Sequence, residues 1–281
     1  MTESSRDEQI QDSDPNLLAE AQGVAEAAAR EAGAYLLAHQ GTARVTRVKA
    51  ERDEQLDTDL EAERILLERL RATFPPFSIL SEEVGLLKGE SAYRWIIDPL
   101  DGSANYQHGS PLYGVMLALQ RRRTVELGVI YLPIFDELFV ATRHATPTRN
   151  GKPINVSNVV HPHRAVAHYG DFAKTGSSAA THYGVEVLSR LAESVGRVRM
   201  IGSAAVDFAW LACGRADAVI TFDAQLWDRL AGELLVSQAG GVVRHRSGAL
   251  GLSVTTGSNG DLFDHMLQAV AQPGAHKNEQ V

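Results

Sequence analysis

The stretch Trp95-Ile96-Ile97-Asp98-Pro99-Leu100-Asp101-Gly102-Ser103-Ala104-Asn105-Tyr106 sets an apolar run against two carboxylates, a proline and a glycine-hydroxyl pair. Tyr93, Trp95, Ile96 and Ile97 are β-type residues, which predicts a strand ending at Asp98. Pro99 fixes φ just beyond it, and Gly102 lets the chain turn sharply into a short helical segment. The two acids then converge. Like charges about 4 Å apart repel by roughly 4 kcal/mol at an effective dielectric of 20, so such a pair shares a proton or holds a cation. The N–H groups of Gly102, Ser103 and Ala104 open the helical segment, and such donors favour phosphate. Carboxylates for a divalent ion beside N–H groups for an anion are what metal-assisted phosphoryl chemistry requires. Taken alone, the run also reads as an Asp-Pro/Asp-Gly turn with solvated acids.

Two further stretches bear on that choice. Trp227-Asp228-Arg229-Leu230-Ala231-Gly232-Glu233-Leu234-Leu235-Val236-Ser237-Gln238-Ala239-Gly240-Gly241 lies downstream, and Ile79-Leu80-Ser81-Glu82-Glu83 lies upstream. In this order the three resemble the signatures of the inositol monophosphatase family of Mg²⁺-dependent, Li⁺-sensitive phosphatases, and the similarity runs from about residue 17 to about residue 268. The resemblance implies a layered α/β (α+β) fold, the alternating α/β/α/β/α sandwich of the inositol monophosphatase and fructose-1,6-bisphosphatase type, with the active site between its halves. Periodicity by itself supports only mixed α and β.

The resemblance also implies a ligand set. Glu82, Asp98 and the backbone carbonyl of Leu100 would bind one Mg²⁺, and Asp98, Asp101 and Asp228 a second, with two or three ions per active site. Hard oxygen donors without Cys or a matching His suit Mg²⁺ rather than zinc. The family's water-activating pair, a helix-start aspartate and a signature hydroxyl, maps to Asp59 and Ser103, so that Asp59, Glu82 and Ser103 are the catalytic candidates. Ser103 replaces the usual threonine, keeping the oxygen and losing the stiffening methyl. The family pattern Asp-x-Val-Thr-x-x-Asp appears as Asp53-Glu54-Gln55-Leu56-Asp57-Thr58-Asp59, without Val-Thr. Asp57 is the competing acid, and spacing favours Asp59. Ser81 stands where glycine is common. Lys49 matches a lysine sometimes found near the phosphate or a third metal, and equally reads as a solvated strand-end lysine.

Substrate contacts are expected from Asp101, Gly102, Ser103 and Asp228, and from the start of a later helix, Gly202, Ser203 and Ala204, which resembles the family's Gly-Thr-Ala-Ala. Thr221 occupies the position from which inositol monophosphatases usually offer a glutamate to ring hydroxyls. Loss of that acceptor weakens polyol recognition by about 1–3 kcal/mol unless something compensates. Phe222 and Tyr169 read either as walls for a flat group such as a nucleobase or as core aromatics. His161, His163 and His168 read as loop and strand residues rather than a metal cluster.

Composition bounds the rest. With 281 residues, 44% hydrophobic, the chain buries a large core, either as one domain or as two packed halves. The single cysteine, Cys213, rules out an internal disulfide framework, and its setting reads as packed helix. The acidic, polar start of the chain is no signal peptide, and no apolar run approaches membrane-spanning length, so a cytoplasmic protein without membrane contact is expected. A formal net charge of −8 lacks the basic footprint of a nucleic-acid binder, so no nucleic acid is expected. That acidity repels a phosphorylated substrate unless bound metal inverts the local field. The partners expected are a small phosphorylated substrate and, from the resemblance, a second copy in a homodimer.

Along the chain we expect a flexible N-terminal tail over 1–15, a metal-binding α+β half over 16–145, an α/β half over 146–272 and a C-terminal tail over 273–281. An alanine-rich helix is expected over 17–39, capped by Asp14 or Asn16, and a second helix begins near 57–59. Strands are expected at 45–48, 78–80, 93–97, 113–120, 125–131, 137–142, 165–168, 197–200, 218–222 and 242–244. Further helices are expected at 178–193, 203–213, 227–238 and 261–270. Arg121-Arg122-Arg123 reads as a solvated hairpin turn rather than a partner-binding patch. Three readings of function follow: a Mg²⁺-dependent phosphomonoesterase acting on a polyol, sugar or nucleoside phosphate; a nucleotide phosphatase resembling 3′-phosphoadenosine 5′-phosphate phosphatases; and a non-catalytic regulatory relative.

Overall fold

Helices and sheets alternate in five layers in a computed structural model that describes residues 14–50, 53–172, 178–247 and 253–270. The expected tails lie almost wholly outside the described residues, as does the side chain of Lys49. The first layer pairs α1 (Pro15–His39) with α2 (Asp57–Thr73). Asp14 starts α1 by accepting the Asn16 N–H at 2.9 Å, with Pro15 in the first turn. Its buried stripe, Ala21, Ala25, Ala28, Ala29, Ala32 and Leu36, is mostly methyl groups, which lets the helix lie close on the sheet below.

That sheet has eight strands. Its members are β3 (Ser78–Ser81), β4 (Gly85–Leu87), β5 (Tyr93–Asp101), β6 (Gly114–Arg121), β7 (Thr124–Leu132), β8 (Glu137–Thr142), β9 (Thr148–Arg149) and β10 (Lys152–Pro153), in the order β10-β9-β8-β7-β6-β5-β3-β4. All neighbours are antiparallel except β3 and β5, which run parallel with Ser81 beside Ile97. Alternate residues of β5 serve the two faces: Trp95 and Ile97 join the core under α1 and α2, and Ile96 joins the core on the far side. β1 (Val45–Ala50) and β2 (Asp53–Leu56) form a separate hairpin that leads into α2.

The middle layer is α5 (Ala204–Ala212) and α6 (Leu226–Gln238), packed between the large sheet and a smaller one. The two helices approach closely at Gly232, where a methyl group would come within 2.4 Å of the Phe208 side chain. The smaller sheet runs β12 (Arg197–Arg199), β11 (Val166–Tyr169), β13 (Ala218–Phe222), β15 (Ser253–Asn259), β14 (Gly241–Ser247). Its first three strands are parallel and the last two antiparallel. On its outer face α4 (Ser178–Ser194) and α7 (Phe263–Val270) bury Leu191, Val187 and Met266 against Ala167, Tyr169 and Ile220. The α/β/α/β/α sandwich is therefore the observed fold.

The structure departs from the sequence reading in several places. Strand β5 does not end at Asp98 but runs on to Asp101, and its pairing with β6 is irregular between those two residues. Pro99 brings no N–H to the ladder, so it falls where the ladder is interrupted. Strands β2, β4, β9, β10 and β15 are additional to those expected, and β9 and β10 flank the turn expected at Asn150-Gly151. Tyr169 and Phe222 pack on one another, ring centres 5.4 Å apart, inside the outer core with Tyr183. They are core aromatics and wall no binding slot. The three arginines do form the β6–β7 turn, with Arg122 at φ 54°. Cys213 caps the end of α5, and burial pushes its thiol up.

Candidate metal centre

Asp98, Asp101 and Asp228 meet where the end of β5 faces the first turn of α6. One carboxylate oxygen from each lies within 4.8 Å of the others. Asp98 is 1% exposed and its Oδ1 accepts the Leu100 N–H at 3.0 Å, so the local turn holds the side chain. Burial raises its carboxyl well above the usual carboxylate range, and the charges acting most strongly on it, those of Glu82, Asp101 and Asp228, are all negative. Asp101 is likewise pushed up to about 7, first by burial, with hydrogen bonds from the α5 start working the other way.

Those bonds tie the two halves of the chain together. Ser203 Oγ donates to Asp101 Oδ2, and the N–H groups of Ala204 and Ala205 donate to the same carboxylate at 3.2 and 2.8 Å. Ser203 is at once the N-cap of α5, its Oγ accepting the Val206 N–H at 3.3 Å. Asp101 thus occupies the helix start that the sequence assigned to substrate, and Ser203 sits against a carboxylate ligand candidate.

Asp228 and Asp59 are held by one device. Each is the third residue of its helix, and each reaches back to the N–H of the residue before it: Gln225 to Asp228 Oδ2 at 2.8 Å, and Leu56 to Asp59 Oδ2 at 3.0 Å. Asp59 is 2% exposed, whereas the competing Asp57 is spent on the Arg44 N–H at 2.9 Å near the surface. The negative charge of Asp59 reaches Tyr106, which brings the start of α2 close to α3 (Ser103–Gln107).

Gly102 precedes α3 with φ 85°, a left-handed conformation natural to glycine. A methyl group there would meet the Leu112 carbonyl oxygen at 3.0 Å and Ser203 Cβ at 3.1 Å, so the turn also needs the missing side chain. Ser103 follows as the first residue of α3. Asn105, to which the sequence reading gave no role, closes the arrangement. Its Nδ2 donates to the carbonyls of Leu112 (2.8 Å), Ile201 (2.8 Å) and Gly202 (3.2 Å), stitching α3 to the segment that opens α5.

The β1–β2 hairpin borders the same region. Gln107 Nε2 donates to Glu54 Oε2 at 3.2 Å, and Gln55 Nε2 donates to Glu83 Oε2. Thr221, 6% exposed on β13, has a buried hydroxyl without a hydrogen-bond partner among the described residues. Gly170, just beyond β11, packs close against it, since a methyl there would come 3.2 Å from Thr221 Cγ2. His168, on β11, pairs through Nδ1 with Asp207 Oδ1 at 2.8 Å. That buried pair joins β11 to α5 and absorbs the histidine into the framework.

Three carboxylates converging on the buried Asp98, with Asp228 at the partly exposed side, form a hard-oxygen donor set that fits a divalent cation such as Mg²⁺. Asp98 and Asp101 could share protons in its absence, but a bound cation would neutralise the whole cluster.

Comparison with known proteins agrees with this architecture. The sequence profile of the inositol monophosphatase family matches residues 17–278. The chain is 38% identical over 224 residues to a protein named Nus factor SuhB from Xylella fastidiosa, covering 79% of this chain and 80% of that one. It is 35% identical over 241 residues to an inositol-1-monophosphatase from Mesorhizobium japonicum, covering 80% and 86% respectively. The crystal structure of extragenic suppressor protein suhB from Bartonella henselae superposes with a TM-score of 0.83 at 30% identity, over 90% of this chain and 99% of that one. With its layers, its carboxylate niche and this profile in agreement, the chain belongs to the inositol monophosphatase family.

Proposed function

We propose that the chain is a Mg²⁺-dependent phosphomonoesterase that hydrolyses the phosphate ester of a small polyol, sugar or nucleoside. The observation that carries this reading is the convergence of Asp98, Asp101 and Asp228 within 4.8 Å at the meeting point of two halves of the chain. Gathering like charges around the buried Asp98 opposes folding unless shared protons or a cation offset them, and at neutral pH a cation gives the arrangement its use.

Glu82, Asp98 and the Leu100 carbonyl would hold one ion, and Asp98, Asp101 and Asp228 another. When bound, such ions supply charge neutralisation for phosphate oxygens and acidify water at neutral pH. The chain's own residues do the rest. The N–H groups at Gly102 and Ser103 receive a phosphate oxygen, and the reach-back bond from Leu56 fixes the Asp59 carboxylate. Asp59, working with the Ser103 hydroxyl, orients the attacking water and accepts its proton as the new P–O bond forms. The ester P–O bond opposite breaks in line, and the departing alkoxide takes a proton from solvent. No phosphoenzyme intervenes, so configuration at phosphorus inverts.

The alcohol lies toward Gly202, Ser203, Ala204 and Thr221. The neutral Thr221 hydroxyl donates one hydrogen bond and can accept others, which favours a small hydroxylated alcohol with no demand for a carboxylate partner. The packing of Tyr169 and Phe222 in the outer core removes the two aromatics that a nucleobase would have used, and so ranks polyol and sugar phosphates above 3′-phosphoadenosine 5′-phosphate. A regulatory protein that only kept the fold is the reading favoured by relatives named Nus factor. Such a protein would have no use for a buried carboxylate cluster that weakens its metal-free fold. Lithium inhibition, a cytoplasmic location and a homodimer complete the proposal. Among the described residues no helix is long and apolar enough to cross a membrane.

Phosphate release should be measured on inositol 1-phosphate, fructose 1,6-bisphosphate, histidinol phosphate, AMP and 3′-phosphoadenosine 5′-phosphate, with Mg²⁺, with chelator and with added Li⁺. The expected result is turnover of at least one polyol or sugar ester that requires Mg²⁺ and falls with Li⁺. Folded protein that binds Mg²⁺ and releases no phosphate from any of the five would defeat the reading.

A further inference from the structure

Glu63 lies one helical turn beyond Asp59 on α2 and is 2% exposed, yet it does not join the carboxylate niche. It faces the turn over residues 81–84. Its Oε1 accepts from Ser81 Oγ and from the Val84 N–H at 3.1 Å, and the Glu83 backbone also favours the charged form of the same carboxylate. All these donors are neutral, and all belong to residues flanking Glu82. The parallel register that sets Ser81 beside Ile97 directs the following residue, Glu82, toward Asp98, the next residue of β5. The charge of Glu82 is accordingly the largest acting on Asp98. From the other side Gln55 on β2 grips Glu83.

A carboxylate that gathers several donors of one short turn fixes that turn's conformation more firmly than solvent can, because each bond is charge-assisted and shielded. We propose that Glu63 is the positioning residue for the Glu82 ligand, its buried carboxylate clasping Ser81, Glu83 and Val84 so that Glu82 faces Asp98 before any ion arrives. The inference rests on the metal reading above and adds to it a residue outside the coordinating set. Ser81, which stands where the family commonly has glycine, contributes the side-chain arm of the clasp. Residues that orient metal ligands in this way typically change metal affinity by about 10- to 100-fold when altered.

The test is isothermal titration of Mg²⁺ into chelator-stripped wild type, Glu63→Gln and Ser81→Ala, with near-ultraviolet circular dichroism to verify packing. Glutamine keeps the volume of Glu63 but presents an amide N–H₂ toward groups that are themselves donors. Glu63→Gln is expected to bind Mg²⁺ about 10- to 100-fold more weakly with native packing. Ser81→Ala, which leaves the Val84 N–H bond in place, is expected to bind several-fold more weakly. In turnover the Mg²⁺ concentration for half-maximal rate should rise, while kcat at saturating Mg²⁺ stays near wild type. A clasp that served stability alone would lower the thermal midpoint of the stripped variants and leave their Mg²⁺ affinity within about twofold of wild type, and that result overturns the proposal. Should Glu63→Gln fail to fold, unchanged affinity in Ser81→Ala overturns it equally. Wild type that takes up no Mg²⁺ overturns the metal reading itself, and this inference with it.

Discussion

Asp98→Asn is expected to lose phosphate-ester hydrolysis by at least about a thousandfold while making the metal-free protein more stable, not less. Both effects follow from one position. Asp98 is the residue on which the negative charges of Glu82, Asp101 and Asp228 act together, and it is 1% exposed. Asparagine retains an oxygen for the Leu100 N–H, so the local turn survives, but it removes the charge that would be shared between two cations. Losing a shared ligand removes interactions made with the transferring phosphoryl group, and several kcal/mol there correspond to orders of magnitude in rate. Without metal the same change relieves like-charge repulsion in a buried niche, a gain of about 1–2 kcal/mol at pH 8. Thermal denaturation in chelator and phosphate release in Mg²⁺ measure the two halves of the prediction. Undiminished turnover in the variant would remove Asp98 from the site.

The stability of the metal-free protein should fall as pH rises from about 4 to 7, and Mg²⁺ should reverse the fall. A free aspartate titrates near 4. In the fold, burial pushes Asp101 up to about 7 and Asp98 well above the usual range. Between those limits the folded chain therefore binds more protons than the unfolded one, and stability decreases with rising pH across that window. This is the reverse of a salt-bridged carboxylate, whose contribution is lost on acidification. Protons and metal compete for the same oxygens, so the stabilisation by Mg²⁺ should be larger at pH 8 than at pH 5. At a Mg²⁺ concentration 100-fold above Kd the gain is about 2.7 kcal/mol, or roughly 5–8 °C in Tm for a chain of this size. Differential scanning at both pH values, with chelator and with Mg²⁺, reads this directly. The pH slope in chelator should flatten in Asp98→Asn. A metal-free midpoint that climbs from pH 5 to pH 8, with equal Mg²⁺ shifts at the two values, would contradict the account.

Much of the fold was legible because its strands are apolar runs. Strands β8 and β13 occupy the residues expected of them, since continuous Leu, Phe, Val and Ile segments between turn residues have few alternatives. Strand β15, Ser253–Asn259, was not legible for the opposite reason. Its residues look like a loop, yet Thr255, Thr256, Ser258 and Asn259 are at most 3% exposed. They are tolerated inside because the sheet satisfies them: Thr255 meets His245 at 2.8 Å, and Asn259 Nδ2 reaches Ser157 Oγ and the Val159 carbonyl at 3.0 and 2.9 Å. Periodicity registers hydrophobic burial and is blind to polar burial of this kind.

The pairing of Asp98 with Asp101 was legible from the local run, but Asp228 joined them only through motif resemblance, because what unites it with them is tertiary. Asp101 finds its partners at Ser203, Ala204 and Ala205, far along the chain, and no local pattern encodes that meeting. Glu63 and Asn105 were missed outright. Each looks like an ordinary polar residue on a helix, and the meaning of each lies in the backbone groups of a distant loop. The one available signal for Glu63 was its spacing, a single turn beyond Asp59 on the same helix face.

We propose that Glu82, Asp98, the Leu100 carbonyl, Asp101 and Asp228 form a binuclear divalent-cation site that receives phosphate. Anomalous diffraction from crystals grown with Mn²⁺ and inorganic phosphate tests it most directly. The account predicts two anomalous peaks flanking Asp98, one reached by Glu82 and the Leu100 carbonyl and the other by Asp101 and Asp228, with phosphate density against both. Well-ordered carboxylates with no anomalous peak between them, at Mn²⁺ concentrations that occupy other sites in the same crystal, would contradict it.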